Sequence, residues 1–257
     1  MGALHDGHEA LIRLGVDTAR DRAAPGGCVV TIFVNPTQFN DPEDYAHYPQ
    51  TRQADLERCR ACGVDVVYVP PVEDVYPPDA ATPVPPLPRV ATEPGLEDRG
   101  RPGHFEGVCQ VLARLWGLTG AAASIFGEKD WQQYQVARAL SAQLGLGVDI
   151  IAGATVREPD GLAMSSRNVH LSDEARRAAG RLRRALLEAG QEPTPRDAEA
   201  TMARVLDHPL IRTDYAVVRD AETLVEPTPA TTAHRAVVTA IVGGVRLLDN
   251  APWPDAE

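Results

Sequence analysis

Two imidazoles three residues apart, His5 and His8, stand in the opening run Met1-Gly2-Ala3-Leu4-His5-Asp6-Gly7-His8, at the start of a helical pattern. The first turn of a helix leaves N–H groups unpaired and carries the positive end of its dipole, so anions are favoured there. Gly7 lets the backbone approach closely, and both rings can face one phosphate. A zinc pair would more commonly be spaced H-x-x-x-H with an acidic third ligand, which is not evident. Lys129 is the only lysine of the chain, set in Gly127-Glu128-Lys129-Asp130 directly after an apolar strand signal. Lysine offers a compact charge on a flexible stem where arginine offers a planar fork, so the two are not equivalent at a phosphate. Met164-Ser165-Ser166-Arg167 follows the turn Pro159-Asp160-Gly161 and adds two hydroxyls and a guanidinium suited to a polyphosphate. Each segment alone has a bland explanation; the three in this order read as a nucleotide site.

Uncharged polar groups accompany them. Phe33-Val34-Asn35-Pro36-Thr37-Gln38 leaves the end of a strand, where doubly wound folds bind ligands, and Asn35 and Gln38 supply neutral donors and acceptors. Taken alone this is an ordinary Asn-Pro turn. Arg101-Pro102-Gly103-His104 is a further glycine-bearing helix start, and His104 could equally be a helix-terminal hydrogen-bonding residue.

Positioning these loops requires alternating strands and helices. Residues 8–22 read as an amphipathic helix, and 28–34 as a buried β-branched strand. A helix over 53–62, a strand over 64–69, a helix over 104–118, a strand over 122–126, a helix over 130–144 and a strand over 148–152 follow. This order predicts an α/β fold with a doubly wound parallel sheet. The Pro-rich stretch 70–94 excludes regular helix and central strand and reads as a surface excursion. Beyond a boundary near Thr155 the pattern becomes α+β, with helices over 173–189 and 195–206. Strands follow over 215–218, 236–242 and 245–248, the last two joined by a Gly243-Gly244 hairpin. The expected division is 1–155 for ligand binding and 156–257 as a smaller C-terminal domain.

A chain of 257 residues can bury a sizeable core. No apolar run approaches the ~20 residues of a membrane span and no secretory signal pattern is present, so a cytoplasmic location is expected. The net charge of −11 argues against general nucleic-acid binding, while ATP can still be held where a few cations converge. Cys59 and Cys62 form a C-x-x-C without a second pair at ligand spacing, so these thiols, like Cys28 and Cys109, are expected to be small packed side chains rather than a metal site.

The motifs M-G-A-L-H-D-G-H, F-V-N-P-T-Q-F, Y-P-Q-T, R-P-G-H-F-E-G-V, F-G-E-K-D-W-Q-Q and V-R-E-P-D-G-L-A-M-S-S-R-N together resemble the pantoate–β-alanine ligase family over nearly the whole chain. The resemblance implies a Rossmann-like member of the nucleotidyltransferase superfamily that uses Mg²⁺ and ATP. Pantoate would be activated as pantoyl adenylate and then condensed with β-alanine. It implies ATP contacts along Met1, Gly2, Ala3, Leu4, His5, Asp6, Gly7 and His8, along Gly127, Glu128, Lys129 and Asp130, at Val156, and at Met164, Ser165, Ser166 and Arg167. His8 matches a proton donor, with His5, Lys129 and Arg167 gathering positive charge about the transition state. Gln38 matches a contact to both pantoate and β-alanine, Gln133 a second pantoate contact, and Asn35 lies beside them. A homodimer is implied as well.

Gln50 and Gln110 depart from the residues usual in the family, arginine and threonine, and both lie outside the nucleotide clamp. The family carries a strand ahead of the M-G-x-L-H segment at which this sequence begins, so that first strand is expected to be missing from 1–155, with residues 28–34 and 122–126 flanking its place. Two competing readings are another adenylyltransferase of the same superfamily and a non-catalytic nucleotide-binding protein.

Overall fold

The computed structural model describes residues 2–39, 43, 45 and 51–254. The positions Met1 and Gln50 lie outside the described residues.

The chain enters its first helix through a buried leucine. Leu4 and Ile12 pack with Cys28, Val30, Ile32, Cys59 and Cys62, which fixes helix α1 (Asp6–Asp21) against strand β1 (Val29–Thr31) and helix α2 (Arg52–Ala61). The cysteines are free and packed as small apolar groups. Strand β2 (Val66–Tyr68) pairs in parallel with β1, Val30 opposite Val67. Helix α3 (His104–Thr119) and helix α4 (Trp131–Leu144) flank strand β3 (Ala123–Gly127), which pairs in parallel with strand β4 (Asp149–Gly153). Among the described residues the parallel strands form these two ladders, and none joins β1 to β3. Both strands line one cavity instead, through Thr31 on β1 and Ser124, Ile125 and Phe126 on β3.

Strands β1 and β2 are shorter than the apolar runs predict, covering Val29–Thr31 within 28–34 and Val66–Tyr68 within 64–69, whereas β3 and β4 keep their predicted lengths. An apolar run marks burial, and burial continues past the last paired residue, Thr31, into Ile32 and Asn35. The Pro-rich stretch is more than a surface excursion. It contains two short helical turns, Val72–Val75 and the 3-10 turn Arg89–Ala91, and buries Val75, Val90 and Ala91.

Helices α5 (Asp173–Ala189) and α6 (Pro195–Leu206) match their sequence bounds, each capped by a hydroxyl that accepts a backbone N–H, Ser172 from Ala175 and Thr194 from Asp197. They pack on an antiparallel sheet of β5 (Ile211–Asp220), β6 (His234–Val242) and β7 (Val245–Trp253). The turn between β6 and β7 has Gly243 and Gly244 at φ +54° and +89°, a conformation in which both central residues favour glycine. Side chains alternate along a strand, and β6 uses both faces. Ala236, Val238, Ala240 and Val242 meet the two helices, whereas Val237 joins the core under α3 and α4. The antiparallel sheet therefore lies directly against the elements that carry the candidate site.

Candidate functional site

His5 takes the extended conformation of a helix N-cap, φ −132° and ψ 175°. Its backbone N–H donates to His8 Nδ1 at 3.3 Å, so His8 carries its proton on Nε2. The two rings lie 4.0 Å apart between centroids. Gly7 suits this close packing, because a Cβ there would sit 3.0 Å from the His5 ring, tighter than most side-chain contacts. Burial, followed by the nearby His5, depresses the pKa of His8 to about 3; burial and Lys129 depress that of His5. The imidazoles are thus neutral N–H donors. Low dielectric and neighbouring cations disfavour the imidazolium here.

The approach to α1 is held by a residue that the motifs do not reveal. Asp55 on α2 is buried, and its carboxylate accepts the backbone N–H groups of Ala3 at 3.1 Å and Leu4 at 2.8 Å and the Thr51 hydroxyl at 3.0 Å. Ala3 has φ 51°, an unusual conformation for a residue with a Cβ, and the two charge-assisted bonds hold it there.

A cavity of ≈ 420 Å³ opens beside these histidines, lined from the expected set by Gly2, His5, Gly7, His8, Asn35, Gln38, Gly127, Lys129, Asp130, Gln133, Val156, Met164, Ser165, Ser166 and Arg167. One wall is apolar, formed by Val108, Val111, Leu112 and Leu115 of α3. Ala3, Leu4, Asp6 and Glu128 are not on its surface. Leu4 belongs to the core, Asp6 pairs outward with Arg58 at 3.0 Å, and the Glu128 carboxylate accepts from Arg235 at 3.3 Å. Lys129 projects from a single 3-10 turn, Glu128–Asp130, at the end of β3, with Nζ 3.5 Å from Asp130. Ser165 accepts the Arg167 backbone N–H, and Met164 donates its backbone N–H to Val156 O at 3.0 Å, which sets the serine–arginine segment on the cavity wall. Asn168 anchors that segment from below, donating to Glu158 and to Ala163 O.

The amide side rests on a hydrogen-bonded loop. Asn35 is 3% exposed. Its Nδ2 donates to Gly107 O and Gln38 Oε1, and its Oδ1 accepts from the Tyr76 hydroxyl at 2.7 Å. It lines the cavity but serves chiefly to fix the loop that presents Gln38. Gly107 permits this, since a Cβ there would lie 2.3 Å from Thr37 O. Arg101 and His104 complete the group. The arginine can only donate, so His104 Nε2 accepts from it at 3.1 Å and Nδ1–H donates to Gln38 O at 3.0 Å. Burial and Arg101 lower the His104 pKa to about 4. Arg101 and Tyr76 were not among the expected residues; Tyr76 lies within the Pro-rich stretch, whose composition hides it.

Lys129, Arg101 and Arg167 thus converge on one cavity in a strongly acidic protein, and Asp130 is its only carboxylate among the described residues. No group of three His, Cys, Asp or Glu residues that could hold a metal occurs among the described residues. The arrangement can receive a polyanion with an apolar base and a small polar acid beside it.

The family model described as Pantoate-beta-alanine ligase matches residues 1–252. A pantothenate synthetase of Nocardioides sp. is 43% identical over 98% of this chain and 76% of its own length, and one of Paracoccus denitrificans 44% identical over 97% and 87%. The crystal structure of pantothenate synthetase from Thermus thermophilus superposes with TM-score 0.87 at 39% identity, over 98% of this chain and 90% of that one. A pantoate-beta-alanine ligase from Francisella tularensis, complexed with beta-gamma ATP and beta-alanine, superposes with TM-score 0.73 at 30% identity, over 98% and 87%.

Proposed function

The chain belongs to the pantoate–β-alanine ligase family, and from that premise we propose how its own residues carry the reaction. The protein condenses pantoate with β-alanine at the expense of ATP. The competing readings, a different adenylyltransferase or a non-catalytic nucleotide binder, are set aside because its relatives are pantothenate synthetases over nearly the full chain.

The observation that carries the assignment of roles is the convergence of Lys129, Arg167, His5 and His8 on one cavity. A carboxylate that attacks the α-phosphorus of ATP meets like-charge repulsion, and charge develops on the departing pyrophosphate. Lys129 and Arg167 offset that charge, and positioning supplies most of the remaining rate gain. Neutral His8 donates its Nε2–H to a phosphate oxygen, and the first turn of α1 adds backbone N–H groups. Gln38 and Gln133 hold pantoate by neutral hydrogen bonds, which orient the carboxylate without an ion pair that would blunt it. The resulting pantoyl adenylate has AMP as a good leaving group, so the β-alanine amine attacks the acyl carbon and releases pantothenate and AMP.

Mg²⁺ fits this cavity only as a companion of the nucleotide, because Asp130 is a single carboxylate and the phosphates would supply the remaining oxygen ligands. When bound it would neutralise phosphate charge. We assign ATP and pantoate binding to residues 1–155 and a lid role to residues 156–257, which contribute Met164–Arg167. A cytoplasmic homodimer completes the reading, and light scattering tests the dimer. No helix among the described residues is long and apolar enough to cross a membrane.

The deciding experiment is isotope exchange between pyrophosphate and ATP with pantoate present and β-alanine absent. Exchange is expected, because the adenylate forms before the amine is needed. Exchange that strictly requires β-alanine would overturn the two-step route.

A further inference from the structure

The loop that presents Lys129 is gripped from the antiparallel sheet by one amide. Asn250 on β7 is 4% exposed. Its Nδ2 donates to Glu128 O at 3.0 Å and Lys129 O at 2.8 Å, and its Oδ1 accepts from Arg235 Nε at 2.7 Å. The amide orientation follows from its neighbours: a flip would set Oδ1 against two carbonyls and the NH₂ against a guanidinium. Arg235 in turn stacks on Trp131, 3.7 Å from the ring centroid, and donates to the Glu128 carboxylate. A 3-10 turn of three residues leaves most of its own carbonyls without internal partners. Here two successive carbonyls are satisfied by one side chain more than a hundred residues away, and Lys129 is the side chain that projects from between them.

We propose that Asn250 is a positioning residue for adenylate formation, acting through the backbone of Lys129 and touching no substrate itself. The inference rests on the role assigned to Lys129. A lysine stem has several rotatable bonds, so the ammonium is placed only as well as its backbone is fixed. Displacement of a catalytic group by ~1 Å can cost on the order of 10²-fold in rate. Asn250→Asp keeps the shape and removes both N–H donors, placing a carboxylate oxygen against the two carbonyls. Asn250→Ser removes the same donors without adding charge.

The test is a double-mutant cycle on single-turnover pantoyl adenylate formation, with wild type, Lys129→Ala, each Asn250 variant and each pair. Both Asn250 variants are expected to lose about 10-fold to 100-fold in the wild-type background and little further in the Lys129→Ala background. Melting should stay cooperative, and the β-alanine dependence of the second step should be unchanged. If Lys129→Ala alone retains the full rate, the role of Lys129 fails, and this proposal with it. If Lys129→Ala is impaired but the Asn250 variants are fully active, or their loss is the same in both backgrounds, Asn250 does not act through Lys129. Loss of cooperative melting in both variants would assign Asn250 to the core and likewise overturn the proposal.

Discussion

Arg246 on β7 sets both terminal nitrogens of its guanidinium on Glu97, Nη1 at 2.7 Å from Oε2 and Nη2 at 2.8 Å from Oε1. The Tyr215 hydroxyl donates to the same carboxylate at 2.6 Å. This cluster ties the antiparallel sheet to the segment just ahead of Arg101 and His104, so the fold around the site depends on it. Burial alone would raise the Glu97 pKa, but Arg246 and Tyr215 outweigh burial and hold it below the usual glutamate value. Removing one partner of such a pair leaves an uncompensated buried charge. Arg246→Ala is expected to cost about 3–5 kcal/mol, measured by denaturant titration. Because the folded pKa is lowered, the stabilisation from Glu97 is present above the ordinary glutamate pKa. It disappears as pH falls through the lowered value.

Lys129 is expected to be intolerant of substitution. Loss of one transition-state charge contact typically lowers the rate by ~10²–10³, so Lys129→Ala should show that loss in adenylate formation. Lys129→Arg should recover little, because a planar fork on a 3-10 turn held by Asn250 cannot reach the same point. Near-normal turnover by the arginine variant would show that charge alone matters.

The buried histidines predict a falling stability in mild acid. His8 would take up a proton near 6.5 in the unfolded chain but only near 3 when folded. The unfolded state therefore binds more protons between those values, and stability should decline as pH drops from 6.5 towards 3. His104, lowered to about 4, adds to the same slope. Melting temperature against pH checks this, and His8→Gln should flatten part of the acid limb while leaving the plateau above about pH 7 nearly level. An unchanged acid limb in that variant would place the titration elsewhere.

Gln38 should separate the two substrates of the first step. Its backbone carbonyl and side-chain Oε1 are fixed by His104 and Asn35, so Gln38→Ala removes the amide without releasing the loop. Weaker use of pantoate with ATP affinity largely kept is the expected result, read from initial rates and calorimetry. An unaltered pantoate requirement would remove Gln38 from the site.

Local signals make α5 and α6 legible to the residue, because Ser172 and Thr194 cap amphipathic runs with nothing to compete. For strand β5 the sequence predicts 215–218, whereas the strand spans Ile211–Asp220. A register shift between Thr213 and Tyr215 breaks the alternation by which a strand is recognised. The phosphate-facing motifs are also legible, since glycine, histidine, lysine and serine act there within a few residues of one another. Glu97, Asp55, Tyr76 and Asn250 are not. Each is an ordinary polar residue in its own segment, and its partner lies 41 to 149 positions away. No window of sequence contains both halves of such a bond.

Asp55 gives the most direct test of whether the histidines depend on that distant support. Its carboxylate takes three donors, the N–H groups of Ala3 and Leu4 and the Thr51 hydroxyl, at a position 1% exposed. Asn at this position keeps the volume but offers one oxygen, and its NH₂ would face at least one of those donors. An unmet buried N–H costs about 1–3 kcal/mol, so Asp55→Asn should lower the unfolding free energy by an amount in that range. The stored strain at Ala3, with φ 51°, would then be free to relax and carry the start of α1 with it. ATP binding should weaken more than pantoate binding, because the histidines follow Leu4 directly and Gln38 hangs from a separate loop. Calorimetric titration of each ligand separates the two. Equal weakening of both would mean that Asp55 supports the whole domain rather than the phosphate end of the site.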